Sequence, residues 1–237
     1  MTSVGDSIEA KRGSWNFGGN VADTFVEHAV RSIPLYQEGH SLICDVSDHF
    51  CAPGSICYEL GVSTAELTKK LANHHSHKDG VNWIGIDNEE GMCAKARDLC
   101  KENHNVEIVC DDILLHDFKK CDLVICYYTI QFIPPKHRQV LVDRIYAALN
   151  WGGALIMFEK VRGPDARFQD IATGLYSRFK KSQGFTADEM YSKTESLKGV
   201  MEPFSTKGNI EMLQRAGFID INSIMKFVCF EGFLAIK

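Results

Sequence analysis

Short apolar runs alternate with amphipathic stretches through the middle of the chain. SICYEL (55–60), VNWIGID (81–87), VEIVC (106–110), CDLVICYY (121–128) and GALIMFEK (153–160) read as strands. Between them, STAELTKKLANH (63–74), EEGMCAKARDLCKEN (89–103) and PKHRQVLVDRIYAALN (135–150) space their apolar residues for one face of a helix. Ser63 or Thr64 is the expected N-cap of the first of these helices. Pro135 opens the third, and the WGG after Asn150 is expected to end it. This alternation predicts an α/β fold with a parallel sheet and right-handed crossovers. Strands that are apolar almost throughout fit a sheet covered on both faces. The end differs: AGFIDINSIMKFVCFEGFLAIK (216–237) holds two strands with no helix between them, so an antiparallel pair should close the sheet.

Two segments lie outside that core. Residues 20–50 read as helical with a break near Pro34. Residues 164–215 also read as helical, with breaks at GFT (184–186) and EPFST (202–206). Both are expected to cover the C-terminal edge of the sheet, where open α/β folds bind ligands. A stretch of about 50 residues between strands five and six is long for a plain connection, so 161–215 is read as a lid inserted into one domain spanning 1–237.

Composition narrows the class. The chain has 237 residues and a net charge of −5, which leans against a protein that grips nucleic acid through phosphates. No apolar stretch approaches the ~18 residues of a membrane span, and the polar N-terminal stretch lacks the apolar core of a secretory signal. Nine cysteines without CxxC spacing fit thiols in a reducing, cytoplasmic setting. HHSH (His74, His75, His77) and the scattered cysteines make no recognised ligand set, so no metal is expected.

The loop after the first strand, YELGVSTAEL (58–67), holds one glycine, Gly61, where a dinucleotide fingerprint holds three. Three glycines serve a pyrophosphate. One glycine suits a nucleoside without phosphates, and S-adenosylmethionine (SAM) is such a ligand. Glu59, Gly61 and Ser63 meet its methionyl end. Asp87, ending the second strand, meets the ribose. Asp112 with Ile113 after the third strand suits the adenine. Asp87 alone reads more readily as a helix N-cap. The ordered set is the stronger signal: ELG, then Asp87, then DDI, then NWGG.

These residues resemble the class I SAM-dependent methyltransferases, with a Rossmann-like sheet. More narrowly, they resemble the carboxy-SAM synthase family of the tRNA wobble-uridine modification pathway. The resemblance rests on WNFGGNVADTFVEHAVRSIPLY, YELGVSTAEL, IGIDNEEGM, DDI, YYTIQFIPP, IYAALNWGGALIMFEK, FKKSQGF and LQRAGF, and spans about Ser14 to Lys237. It implies that Tyr36 closes over the cofactor, that Gly61, Val62 and Ser63 line the methionyl side, and that Asp87 and Asn88 hold the ribose. It also implies that Asp112 and Ile113 frame the adenine, and that the protein is a homodimer. Without the resemblance, Tyr36 reads as a core aromatic.

The departures bear on the reaction. The family typically has asparagine at Tyr127, a cofactor contact, and an arginine at Thr194 that meets an extra carboxylate. It also has Gly-Cys-Ser where this loop reads GVS. Lys193 is expected to point elsewhere on its helix; Lys160 or Arg167 would have to supply the cation. A carboxylate without such a partner is poorly stabilised. The leading expectation is therefore a methyltransferase acting on a small molecule. Carboxy-SAM synthesis from SAM and prephenate is the alternative, and a non-catalytic SAM-binding subunit the third. Tyr127, Tyr128 and Glu159 are the catalytic candidates. Tyr128, Lys160, Tyr176, Arg178 and Thr194 are the candidates for substrate binding, with simple surface exposure the alternative for Arg178.

Overall fold

The five apolar runs form parallel strands: β1 (Ile56–Leu60), β2 (Asn82–Asp87), β3 (Val106–Cys110), β4 (Cys121–Tyr127) and β5 (Leu149–Lys160). The final segment gives β6 (Asp220–Phe227) and β7 (Phe230–Ile236), with β7 antiparallel to both β5 and β6. The sheet order is β3-β2-β1-β4-β5-β7-β6. The computed structural model that shows this describes residues 2–3, 9–10, 13, 15, 17–18 and 21–237. Ser14, Asn16, Gly19 and Asn20 of the N-terminal motif lie outside the described residues.

The alternation of side chains along the strands sorts the core into two layers. Tyr58, Val124, Cys126, Leu155 and Met157 face helix α5 (Pro135–Ala148). Cys57, Leu123, Ile125, Ile156 and Phe158 face α2 (Tyr36–Ser47) and α3 (Glu66–His74). Helix α4 (Glu90–Leu99) shares the second side through Ala96, which packs with Val62 and Ala65. Since β4 is buried on both faces, an uninterrupted apolar run is what that position needs. The register aligns Leu60 with both Ile86 and Cys126, which brings the C-terminal ends of the strands to one edge. The chain reverses its direction of travel across the sheet between β1 and β4, and that switch point is where such folds open a crevice.

Three local expectations need correction. Neither Ser63 nor Thr64 caps α3: the helix begins at Glu66 after Ala65, whose left-handed backbone (φ 65°) makes the turn. The WGG does not end α5. That helix stops at Ala148, and Trp151 and Gly152 form an irregularity inside β5, where the register slips between Cys121 and Leu123. There Gly153 lies so close to the Asp122 carbonyl that a Cβ would sit 2.8 Å from it. Nor is all of 161–215 a lid. Helices α6 (Ala166–Ser182) and α7 (Ala187–Ser196) form the cover, whereas α8 (Thr206–Ala216) packs on α5 and sends Met212 and Leu213 into the sheet core. The predicted breaks are capping sites. Thr186 and Glu189 make a capping box for α7, and the Ser205 hydroxyl accepts from the Gly208 N–H to start α8.

Helix α1 (Val21–Ser32) is tied to the lid: the Tyr176 hydroxyl donates to the Ser32 carbonyl (2.9 Å), and Arg31 Nη2 donates to the Gln183 carbonyl (2.9 Å). At the opposite side, buried Arg138 gathers three carbonyls: Nε donates to Ile133, Nη1 to Glu202 and Nη2 to Gln131, at 2.7, 2.7 and 3.0 Å. Those carbonyls belong to the turn after β4 and to the loop before α8. Arg138→Met leaves the Ile133 and Glu202 carbonyls without this donor, while Gln131 keeps the Glu202 N–H, and should cost roughly 3 kcal/mol. Urea unfolding should show a lower midpoint at unchanged slope. Arg138→Lys should not restore it, because an ammonium cannot span the three directions that the planar guanidinium does.

Candidate functional site

A cavity of about 640 Å³ opens over the C-terminal ends of β1, β2, β4 and β5, walled by α1, α6 and α7. Its floor is built by the single-glycine loop. Gly61 adopts φ +73°, and a Cβ there would meet Thr129, whose hydroxyl donates to the Leu60 carbonyl (2.7 Å). Gly61 and Val62 donate their N–H groups to the Ile86 carbonyl (2.8 and 3.0 Å). Ser63 takes a left-handed backbone (φ 51°) and donates its N–H to Asp87 Oδ2 (2.9 Å). Asp87 Oδ1 accepts the Glu89 N–H (3.0 Å) ahead of α4. This Asx-type turn leads into α4, and Asp87 also lines the cavity. Burial raises its pKa, while the backbone donors pull it down.

Asn88, Asp112 and Ile113 line the same end of the cavity. Asp112 Oδ1 accepts the Leu114 N–H (2.9 Å), which shapes the DDI turn. Asp111 also lines the wall, where it pairs with His116 Nδ1 (2.8 Å). This end is acidic. Tyr36 and Tyr127 line the cavity as a pair, ring centroids 5.2 Å apart, with the Tyr127 hydroxyl donating to the Tyr36 carbonyl (2.6 Å). Gly39 leaves the space that this hydroxyl fills. Burial raises the pKa of both phenols, and of Tyr128, so all three stay protonated. With its hydroxyl committed to Tyr36, Tyr127 is unsuited to act as a base. Tyr128 has a strained backbone (φ 61°) and lines the cavity beside it.

The opposite end is basic. Lys160, at the end of β5, holds its ammonium 4.3 Å from the Tyr176 ring centroid, and desolvation lowers its pKa. Gln131 sets its backbone: Oε1 accepts the Lys160 N–H (2.9 Å) while Nε2 donates to the Tyr128 carbonyl (3.2 Å). Lys180 is buried, lies over the Phe185 ring and donates to Ser32 Oγ (3.4 Å). Lys193 also lines the cavity, over the Trp15 ring, which clusters with Met92 of α4. Thr194 lines the cavity too, but its hydroxyl turns back to the Met190 carbonyl (2.9 Å).

Four candidates are placed elsewhere. Glu59 is buried behind the wall, where its carboxylate accepts from the Thr68 hydroxyl on α3. The Val62 side chain packs against Gly85, under the loop rather than in it. Glu159 is buried and accepts the Ile130 N–H (3.0 Å), so it shapes the turn after β4 and touches no cavity wall. Arg178 is exposed, as is Arg167. Helix spacing explains the choice: Tyr176 and Lys180, four residues apart, share the inward face, and Arg178 lies on the opposite one. That same spacing was the available signal for Lys180. Lys193 also faces the cavity beside Thr194, contrary to expectation, because both helix flanks at the end of α7 border it. His28 and Phe230 line the cavity without a sequence signal.

Residues 58–153 match a family model described as methyltransferase domain. The carboxy-S-adenosyl-L-methionine synthase of Staphylococcus epidermidis is 33% identical over 224 residues, covering 94% of this chain and 97% of that one. The enzyme of the same name from Helicobacter hepaticus is 36% identical over 228 residues, covering 94% and 95%. Among solved structures, human N-acetylserotonin methyltransferase in complex with SAM aligns with a TM-score of 0.63 at 15% identity, over 92% of this chain and 56% of that one. The SAM-dependent methyltransferase SibL aligns at 0.61 and 16% identity, over 85% and 55%. These two longer chains share the fold alone.

Two outcomes follow for the acidic end. Asp87→Ala should weaken SAM binding at least about tenfold by calorimetry, since a charged acceptor and the anchor of two loop amides go together. Asp87→Asn, which keeps one backbone acceptor, should lose less. Glu59 gives a pH effect. Burial lifts its carboxyl from 4.5 to about 8, so the folded chain keeps it protonated where the unfolded chain ionises it. Its stabilising contribution is therefore complete below pH 4.5 and is lost as pH rises toward about 8. Glu59→Gln should flatten that part of the stability profile, read as urea midpoints across the window; an unchanged slope would mean that Glu59 is already ionised in the fold.

Proposed function

Because the chain belongs to the carboxy-S-adenosyl-L-methionine synthase family, we propose that it makes carboxy-SAM from SAM and a prephenate-type dicarboxylate. The cofactor is SAM, and the chain has the class I methyltransferase fold. The acidic end suits it. Asp87 and Asn88 would hold the ribose, Asp112 and Ile113 the adenine, and the Gly61–Ser63 loop the methionyl end.

The carrying observation is the separation of charge across the cavity. Asp87, Asp111 and Asp112 stand over β2 and β3, while Lys160, Lys180 and Lys193 stand over β5 and the lid. On sequence alone, Thr194 at the position of the family's arginine favours plain methyl transfer. Lys160, whose ammonium rests on aromatic faces, reverses that weighing, because it would meet a carboxylate of the donor or the product. In the overall reaction the donor's carboxyl carbon replaces a proton on the sulfonium-bound carbon. The donor's ring becomes aromatic, and its hydroxyl leaves with that proton as water.

The residues of this chain would bind and orient. Lys160, positioned by Gln131, would take one carboxylate, and Lys180 a second. The protonated Tyr128 hydroxyl would donate to the donor between them. The α1–α6 ties would exclude water, which strengthens each charge pair. Methyl transfer to a small acceptor is the second reading, favoured by the uncharged Thr194. A homodimer in the cytoplasm belongs to the same proposal, and the net charge of −5 supports a small-molecule rather than a nucleic-acid substrate.

Mass spectrometry separates the readings. The purified chain with SAM and prephenate should yield an ion at the mass of SAM plus carbon dioxide. The same species should leave the protein on denaturation. Lys160→Met should slow its formation at least about tenfold with SAM affinity kept, and Lys160→Arg should retain much of it. Formation of S-adenosylhomocysteine alone, or no effect of either Lys160→Met or Lys180→Met, would sink the synthase reading.

A further inference from the structure

On the far side of α3 from the cavity, three side chains converge. Asp48 follows the last residue of α2, His74 ends α3, and His75 comes next. Their ligand-type atoms all lie within 4.8 Å of one another. His74 Nε2 is 2.9 Å from Asp48 Oδ2, and His75 Nδ1 is 3.7 Å from Asp48 Oδ1. The HHSH run makes no ligand set by itself; α2 supplies the missing acid.

The proton inventory around His75 is the telling feature. Its side chain is fully buried, and Nδ1 has no hydrogen-bond partner. On the other side of the ring, Nε2 lies 2.7 Å from Ser47 Oγ. That hydroxyl spends its proton on the Cys44 carbonyl (2.6 Å). It must therefore accept from His75, which puts the ring proton on Nε2 and leaves a bare lone pair on Nδ1. This lone pair faces a carboxylate with no proton between them. Two acceptors held face to face are stabilised by a cation, not by each other. A ring nitrogen pointing inward, with the opposite N–H fixed by a hydrogen bond, is also how metal-ligating histidines are oriented.

Two further facts favour a cation here. The carboxyl ends of α2 and α3 meet at this point, and helix C-termini carry partial negative charge. Asp48 (46% exposed) and His74 (31% exposed) leave an entry path from solvent. One group competes: Lys78 Nζ donates to Asp48 Oδ1 (3.0 Å) and to the Cys51 carbonyl (2.8 Å), but it leaves Nδ1 unpartnered.

We propose that Asp48, His74 and His75 form a site for a divalent first-row transition metal, with zinc the best match. Two imidazoles and a carboxylate, with a fourth position open to water, suit zinc at bond lengths of about 2.0–2.2 Å. The ion would clip α2 to α3. None of its ligands lines the cavity, so its role would be structural and distinct from SAM binding.

The test uses the full chain, stripped of metal and kept reduced, titrated with Zn²⁺ by calorimetry and with Co²⁺ by visible absorption. One equivalent should bind in the micromolar range or tighter and raise the melting temperature. The Co²⁺ spectrum should show the d–d bands of a four-coordinate site without thiolate charge transfer, which separates this site from the nine cysteines. His74→Gln and Asp48→Asn, both at partly exposed positions, should each weaken binding at least about tenfold. Lys78→Ala should tighten it by removing the competing ammonium. Absence of saturable binding, a thiolate band that persists in His74→Gln, or equal affinity in the wild type and both variants would overturn the proposal.

Discussion

Two backbone amides from different loops end on one carboxylate, that of Asp87. Ser63 reaches it from the turn after β1, and Glu89 from the turn before α4. Much of the site's shape depends on this junction. The loop after β1 can then manage with one glycine, because its fold is held from outside by Asp87 and by Ile86, whose carbonyl accepts from Gly61 and Val62. A pyrophosphate loop needs glycines so that backbone can approach phosphate. Here the backbone approaches a neighbouring turn instead: Thr129 occupies the space that a side chain at Gly61 would claim.

That arrangement explains what was legible in the sequence. Strand positions were readable because burial on both faces demands continuous apolar runs. The acidic residues at strand ends were readable because position in the chain fixes their place in space. Two strand-end acids misled for one physical reason. Glu59 and Glu159 sit within β1 and β5, where alternation decides which side a carboxyl meets, and both are turned into protein. Each is lifted to about 8 by burial, a property of packing that spacing alone does not carry.

The lid was harder to read because helices report a face only once one contact is known. Arg178, in GLYSRFKK, is a substrate-binding candidate with surface exposure as its alternative. Only the Tyr176 bond to the Ser32 carbonyl shows which side of α6 points inward, and Lys180 lies on that side. Likewise the EPFST break marks where α8 begins but not which layer it joins. Its role follows from the two buried residues that it lends to the α5 layer. The histidine run is the same case: its acid lies 26 residues upstream of His74, brought close only by the packing of α2 on α3.

The two ends of the cavity also differ in what they ask of a ligand. At the acidic end, Asp87 and Asp112 are already supported by backbone donors. At Lys160 the support is weaker. Lys160 rests on aromatic faces, and desolvation pushes its pKa down. A cation held this way is costly until an anion arrives, because an aromatic face is worth about 0.5–2 kcal/mol and does not replace water. A carboxylate entering that end removes the penalty and gains the pair in a medium of low dielectric. A neutral methyl acceptor would gain neither. On the proposed reading, such a cavity would discriminate by charge before any contact specific to the reaction is made, in favour of a carboxylate.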